Sequence, residues 1–353
     1  MIYCTPNGYM RNNSNVLLGF GLLILVVLSA AVIAVLGSTA QTPAAIWAKK
    51  ISTQMEHTPH NNPLGAQIIT AQTTAELEQL FASIDYHWPP SDLHEVPHVS
   101  LQQLPSDFPS IADATERKNL FLRVLLPMVL LENRRIHEQR KLLQLMFSQS
   151  LPSPLQAKDS PTGDWLITMK KELRIRGDLS NPEVQQRMLQ RLDEIPPALA
   201  LAQGAIESGW GTSRFALEGN SLFGQWTFQA NSGLEPGKRD PGATHFVASF
   251  PTLQASVRAY MRNLNTGRAY REFRNSRATT RTQGKPLGAL ELAGHLHRYS
   301  QRGMDYVKEL RVIIAGSSLA SLRNLPLAAS PGQLASTMGP NSGQPSKSIQ
   351  TPS

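Results

Sequence analysis

Residues 16–37, VLLGFGLLILVVLSAAVIAVLG, form an uncharged apolar run of 22 residues. At about 1.5 Å per helical residue, this matches the roughly 30 Å hydrocarbon core of a bilayer. A signal-peptide core is shorter, about 7–15 residues, so a retained transmembrane anchor is the favoured reading. The small residues STA before Gln41 leave a cleaved signal sequence as the alternative. Either way, residues beyond about 40 are expected to leave the cytoplasm. The flanking charges, Arg11 before the run and Lys49 and Lys50 after it, barely set its orientation. The short N-terminal segment 1–15 contains Cys4, the only cysteine. The exported part therefore has no disulfide, no thiol nucleophile and no Cys-based zinc site, and its core alone must hold it.

The 353 residues carry 34 Lys and Arg against 26 Asp and Glu, a formal net charge of +8, which suits an anionic partner or surface. Residues 38–105 are rich in Pro, His, Gln and Thr without sustained periodicity, and read as a spacer with at most short helices. Residues 106–150 form a helical segment expected to pack on the domain that follows. Its 112–146 stretch is read as helices interrupted at Pro127, and the apolar run Val124–Leu131 is too short to span a bilayer. A Pro-rich link then leads into a denser domain, 155–316, and the Ser-, Pro-, Gly- and Ala-rich tail 317–353 is expected to be disordered.

Within 155–316, Asn181 and Pro182 mark a helix start, as N-cap and first helical residue. PPALALAQGAIES restarts a helix at Pro196 and Pro197, and Gly209 and Gly211 stop it. QWTFQ and THFVASF alternate large apolar residues with others, and ANSGLEPGKRDPGA between them is turn chemistry throughout, which predicts an irregular β-hairpin. Helices resume with a Leu253, Val257, Tyr260, Leu264 stripe, and continue in LGALELAGHLHRYS and YVKELRVIIAG. The expected fold class is α+β, mainly helical, with one small β excursion.

The chemistry centres on Glu207. It ends a helix whose preceding eleven residues include a single polar side chain, Gln203, and Trp210 follows at i+3. A carboxyl packed against apolar surface is costly to ionise, so its pKa should rise toward the range a general acid for glycosidic cleavage needs. The alternative is a helix-terminal Glu facing solvent.

ESGWGTSRFALEGNSLFGQW, residues 207–226, resembles the signature of the glucosaminidases of glycoside hydrolase family 73, and 164–316 most resembles their Bax subgroup. NSLFG at 220–224 is similar to the family's Asn-x-Leu-Phe-Gly turn. FPTLQASVRAYMRNLNTGRAY and YSQRGMDYVKELR resemble its later helices, and ERKNLFLRVLLPMVLLENRRI the helical stretch before the catalytic part. The resemblance spans roughly 105–316. It implies a lysozyme-like catalytic domain with a small β-hairpin lobe, which hydrolyses β-1,4 bonds on the reducing side of N-acetylglucosamine in peptidoglycan. It implies Glu207 as catalytic acid and Tyr306 as a tyrosine across the cleft. The family's Thr-Asp-Pro is absent before Tyr306, and Tyr299 is the fallback. Phe223 and Trp226 are expected to line the sugar cleft, with Trp210, Asn220 and Tyr299 among the substrate-binding residues; ordinary core packing is the alternative for Phe223 and Trp226. For a second catalytic carboxylate the lobe offers Glu235, then Asp240, with Glu218 read as structural; without one, the substrate's 2-acetamido group would attack the anomeric carbon itself.

The implied partners are peptidoglycan strands and, through residues 16–37, the bacterial inner membrane, with the catalytic domain in the periplasm, or release into the periplasm if the leader is cleaved. No cofactor is implied. His295 and His297 lie two apart, about 200° on a helix, and so cannot share one metal ion. The seven arginines between 258 and 281 are read as a solvated face that could meet stem-peptide carboxylates rather than nucleic acid. The rival functions are a lytic transglycosylase giving 1,6-anhydro products and a non-catalytic wall-binding protein.

Overall fold

The described residues of the computed structural model are 65–90, 95–148, 161–237, 244–316 and a few positions between 319 and 328, all within the unit 54–353. Residues 1–64, with the apolar run 16–37, lie outside them, as do Asp240 and residues 329–353. Among the described residues no helix is long and apolar enough to cross a membrane.

In chain order the helices are α1 (Thr74–Ser83), α2 (Ala114–Ser148), α3 (Pro161–Glu172), α4 (Pro182–Arg191) and α5 (Pro197–Ser208). They continue with α6 (Arg214–Gly219), α7 (Leu253–Thr266), α8 (Arg271–Thr282), α9 (Ala289–Ala293) and α10 (Met304–Gly316). The strands are β1 (Gln67–Ile69), β2 (Val99–Leu101), β3 (Trp226–Thr227), β4 (Gly233–Leu234) and β5 (Phe246–Ala248). This is the mainly helical α+β class.

Helix α5 is the centre. Pro196 caps its start, Pro197 suits the first turn because no N–H is needed there, and Gly209 at φ 58° ends it in the left-handed region. Every residue from Ala198 to Ala205 is buried, so α5 is covered on all sides rather than along one stripe. Helices α2, α9 and α10 pack on it. Against α2 the approach is close: a Cβ at Gly204 would stand 2.6 Å from a Leu125 methyl and 3.4 Å from the Phe223 ring.

The sequence reading breaks α2 at Pro127, yet α2 runs unbroken for 35 residues with Pro127 buried inside it. Burial of Leu120–Val129 against α5 and α7 outweighs the lost backbone hydrogen bond, and Gln254 of α7 donates to the neighbouring Met128 carbonyl at 3.1 Å. The spacer reading is also corrected from Gly65 onward. Here β1 and β2 pair in parallel, α1 buries Leu77 and Phe81, and Leu104 and Phe108 join the core. The start of the tail is packed too: Leu319 and Leu322 are buried, and the Ala328 N–H donates to the Val96 carbonyl.

The arginine-rich stretch is not one solvated face. Arg274 and Arg277 are buried, Arg277 completely. The Arg277 guanidinium donates to the carbonyls of Gln190, Asp193 and Glu194 and to Asn265 Oδ1, with Asp193 carboxylate 3.6 Å from its Nε, so it ties α8 to the end of α4. Arg258 reaches across to buried Glu132 of α2. The β lobe is a three-stranded antiparallel sheet in the order β3–β5–β4, one strand more than the expected hairpin, because β4 forms within the segment read as turn.

The loop after α5 leans on the N-terminal segment. Gly211, at φ 82°, leaves no room for a Cβ, which would meet Phe108 and Phe121 at 3.0 Å and Leu104 at 3.2 Å. Gly211→Ala is therefore strained in both backbone and space, and is expected to lower stability by about 1–3 kcal/mol in urea unfolding. Unchanged stability would show that this brace carries little.

Candidate active site

Gln203 and Glu207 stand at i and i+4 on α5, so the only polar side chain inside the apolar run lies on the same face as the terminal carboxyl. The Tyr306 hydroxyl, arriving from α10, fits between them: Gln203 Nε2 donates to Tyr306 Oη at 2.9 Å, and Tyr306 hydrogen-bonds Glu207. Behind them, the Tyr260 hydroxyl of α7 donates to Gln203 Oε1 at 2.8 Å. The result is one buried chain, Tyr260 to Gln203 to Tyr306 to Glu207.

Aromatic rings close the pocket. Tyr299 stacks on Tyr306, 5.6 Å between centroids, meets Tyr260 edge-on and Tyr270 at a tilt, and donates its hydroxyl to the Phe223 carbonyl at 3.1 Å. On the other side the NSLFG turn brings Gly224, at φ 59°, against the acid; a Cβ there would stand 3.3 Å from Glu207 Oε2. Asn220 sets up this turn. It ends α6 in the left-handed region and donates from its side chain to the Phe250 carbonyl.

Burial pushes the Glu207 carboxyl up from 4.5 to about 7, opposed by the Tyr306 hydrogen bond and the Arg302 charge and reinforced by Glu309. The tyrosines respond in kind. Burial, helped by the neighbouring Glu207 charge, raises Tyr306, Tyr260, Tyr270 and Tyr299 above the ordinary phenol range, so all four stay neutral hydrogen-bonding groups near neutral pH.

Comparison with known proteins joins this geometry to a lineage. The glucosaminidase family model, described as mannosyl-glycoprotein endo-beta-N-acetylglucosaminidase, matches residues 184–318. Protein bax of Escherichia coli (strain K12) is 30% identical over 201 residues, which cover 57% of this chain and 69% of that protein. The chain belongs to the Bax-type glucosaminidase family. No solved structure matches it. The family match begins inside α4, and so includes α5, the NSLFG turn, the β lobe and α10 but leaves out α2.

Several expected site residues of this family member stand elsewhere than the sequence reading has them. Tyr306 is only 1% exposed and lies under the acid, not across a cleft from it. Phe223, 2% exposed, is core: its ring stacks on Tyr260 at 3.9 Å, as the packing alternative has it. Trp210 turns away toward α2, edge-on to Phe121 and beneath the Lys118 ammonium. Trp226 is 59% exposed on β3 and stacks on His245 at 4.2 Å, which leaves an aromatic surface open on the lobe. Glu218 pairs with Arg214, whose guanidinium also takes the backbone carbonyl of Glu235. The Glu235 side chain is exposed, and the charges acting on Glu207 are those of Arg302 and Glu309 instead. That pair, 2.6 Å apart, escaped the sequence reading, as did Tyr270 and the site role of Tyr260, which was read only as part of an apolar stripe. The i, i+3 relation of Tyr306 and Glu309 was the available signal.

Because its folded-state pKa is raised, the Glu207 proton stabilises the fold fully below the ordinary carboxylate value, and that contribution is lost as pH rises through about 7. Glu207→Gln is thus expected to match the parent protein in urea unfolding near pH 4.5, but to be about 1–3 kcal/mol more stable at about pH 8. Equal stability at both pH values would mean that the carboxyl is not held in a costly place.

Proposed function

We propose that this chain is a peptidoglycan hydrolase that cleaves the β-1,4 bond on the reducing side of N-acetylglucosamine, with Glu207 as general acid. The observation that carries this reading is a half-buried carboxyl with a pKa of about 7, at the one end of an apolar helix where it meets solvent. Such an acid holds its proton near neutral pH and is strong enough to pass it to a leaving sugar oxygen. Membership of the glucosaminidase family supports the bond type. The open Trp226 ring supports a sugar ligand, because the apolar face of a pyranose can lie on an aromatic plane. A basic chain suits a polymer with carboxylate-bearing stems. Residues 16–37 would hold the enzyme at the inner membrane facing the periplasm, or direct its release there.

For the second catalytic group we favour the substrate itself. The acetamido oxygen attacks the anomeric carbon while the Glu207 proton moves to the departing oxygen, and water then opens the cyclic intermediate. Glu235, exposed on the β lobe, is the protein-borne alternative. Tyr306, locked beneath the acid, would orient Glu207 and not touch sugar.

Digestion of purified peptidoglycan followed by mass spectrometry tests the reading. Reducing N-acetylglucosamine ends are expected, whereas 1,6-anhydro ends would replace it with lytic transglycosylation. Glu207→Gln should lower the rate by about 100-fold or more. Activity of the parent chain should decline as pH rises through about 7, where the acid loses its proton. If Glu235→Gln abolishes activity in a folded protein, the substrate-assisted route is excluded. Equal clearing by the parent and Glu207→Gln in a zymogram would leave a wall-binding role.

A further inference from the structure

Gln203 is fully buried, and its two amide ends serve different tyrosines: Oε1 accepts from Tyr260, and Nε2 donates to Tyr306. This polarity has a consequence at the acid. A phenol has one proton, and an Oη that accepts from Gln203 is left with that proton free to point at Glu207. We propose that Gln203 is a positioning residue that fixes the direction of the Tyr306 hydroxyl. Tyr306 then donates to one oxygen of Glu207, and the transferable proton of the acid rests on the other. Tyr260 acts one step further back, since its hydroxyl holds the Gln203 amide from flipping.

The role of Glu207 as acid is taken from the preceding section, but the hydrogen-bond polarity is not. If the amide were reversed, Tyr306 would give its proton to Gln203 and could only accept from Glu207. The acid proton would then be spent inside the protein. Apolar packing alone does not need this arrangement. A leucine or methionine would fill the middle of α5, whereas a buried amide is retained at the cost of satisfying every one of its groups.

The other ionisable or charged groups around Glu207 are Tyr270 ahead of α8, Tyr299 after α9, Arg302 before α10 and Glu309 on it. None of them forms part of the chain through Gln203, and all remain in the variants below.

The test is direct titration of the Glu207 carboxyl in the full-length protein, by infrared difference spectroscopy with Glu207→Gln as the subtraction control. Tyr306→Phe removes the donor to the carboxylate and should move the midpoint upward. Gln203→Met, and Tyr260→Phe by releasing the amide, should each move it upward by about half a pH unit. Because Gln203 acts through Tyr306, adding Gln203→Met to Tyr306→Phe should give no further shift. A midpoint unmoved by both Gln203→Met and Tyr260→Phe would overturn the proposal. So would a Gln203→Met shift that persists undiminished in the Tyr306→Phe background. Should Gln203→Met fail to fold, Tyr260→Phe alone and combined with Tyr306→Phe gives the same cycle. The readout needs no substrate, so an inactive protein would count against the hydrolase reading without touching this one. In an active protein, the alkaline limb of kcat/KM against pH should move with the midpoint.

Discussion

A helix buried on every side, and ending in a carboxyl, is the constraint around which the molecule is organised. The apolar surface of α5 has to be covered, and α2, α9 and α10 cover it. The same packing dries the surroundings of Glu207 and lifts its pKa. Stability and acid strength thus come from one source: each apolar neighbour that tightens the core also makes the charge at its edge harder to hold. Of the three polar side chains along α5, Ser208 bonds within its own helix, while Gln203 and Glu207 are joined by a tyrosine from another helix, which leaves none of them unsatisfied.

Charge is handled differently away from the site. Glu132 is wholly buried, but Arg135 and Arg258 approach it from two sides and hold its carboxyl below the ordinary range despite the burial. Arg277 is likewise buried, surrounded by carbonyls and the Asp193 carboxylate. Those charges are compensated where they sit. Among the described residues the cation that acts on Glu207 is the exposed Arg302, itself shared with Glu309. A buried carboxylate with two arginines is locked in its ionised state; one with a phenol and an exposed, shared cation is free to exchange a proton near neutrality.

The central features were legible because they depend on local chemistry. The Asn181 cap with Pro182, the two prolines that open α5, the glycine that ends it and the alternation in β3 and β5 all act over a few residues. Glu207 stood out because a charge at the end of an apolar stretch is conspicuous in sequence alone. What could not be read depends on partners far along the chain. Pro127 signals a break unless the helix is pinned on both flanks. Phe223 is an aromatic beside a site, and only the ring of Tyr260 shows that it faces inward. Arg274 and Arg277 look solvated until the carbonyls that receive them are in place. Within residues 65–110 the helical repeat of α1, Leu77 and Phe81 at i and i+4, lasts barely one turn, and much of the rest of the contribution is made by single side chains such as Tyr86 and Phe108.

The long α2 also bears on how the molecule comes to be assembled. It is made well before α5, α7 and α10, and its middle, from Leu120 to Val129, is apolar nearly all round. Until the second half of the chain arrives, only β2 and α1 are there to cover it, and the sides that meet α5 and α7 stay open. The growing protein therefore passes through a stage with a sticky helix exposed, and closure waits on contacts of high sequence separation. The part that the family model matches is the late half of the domain; the early half is what that late half must find.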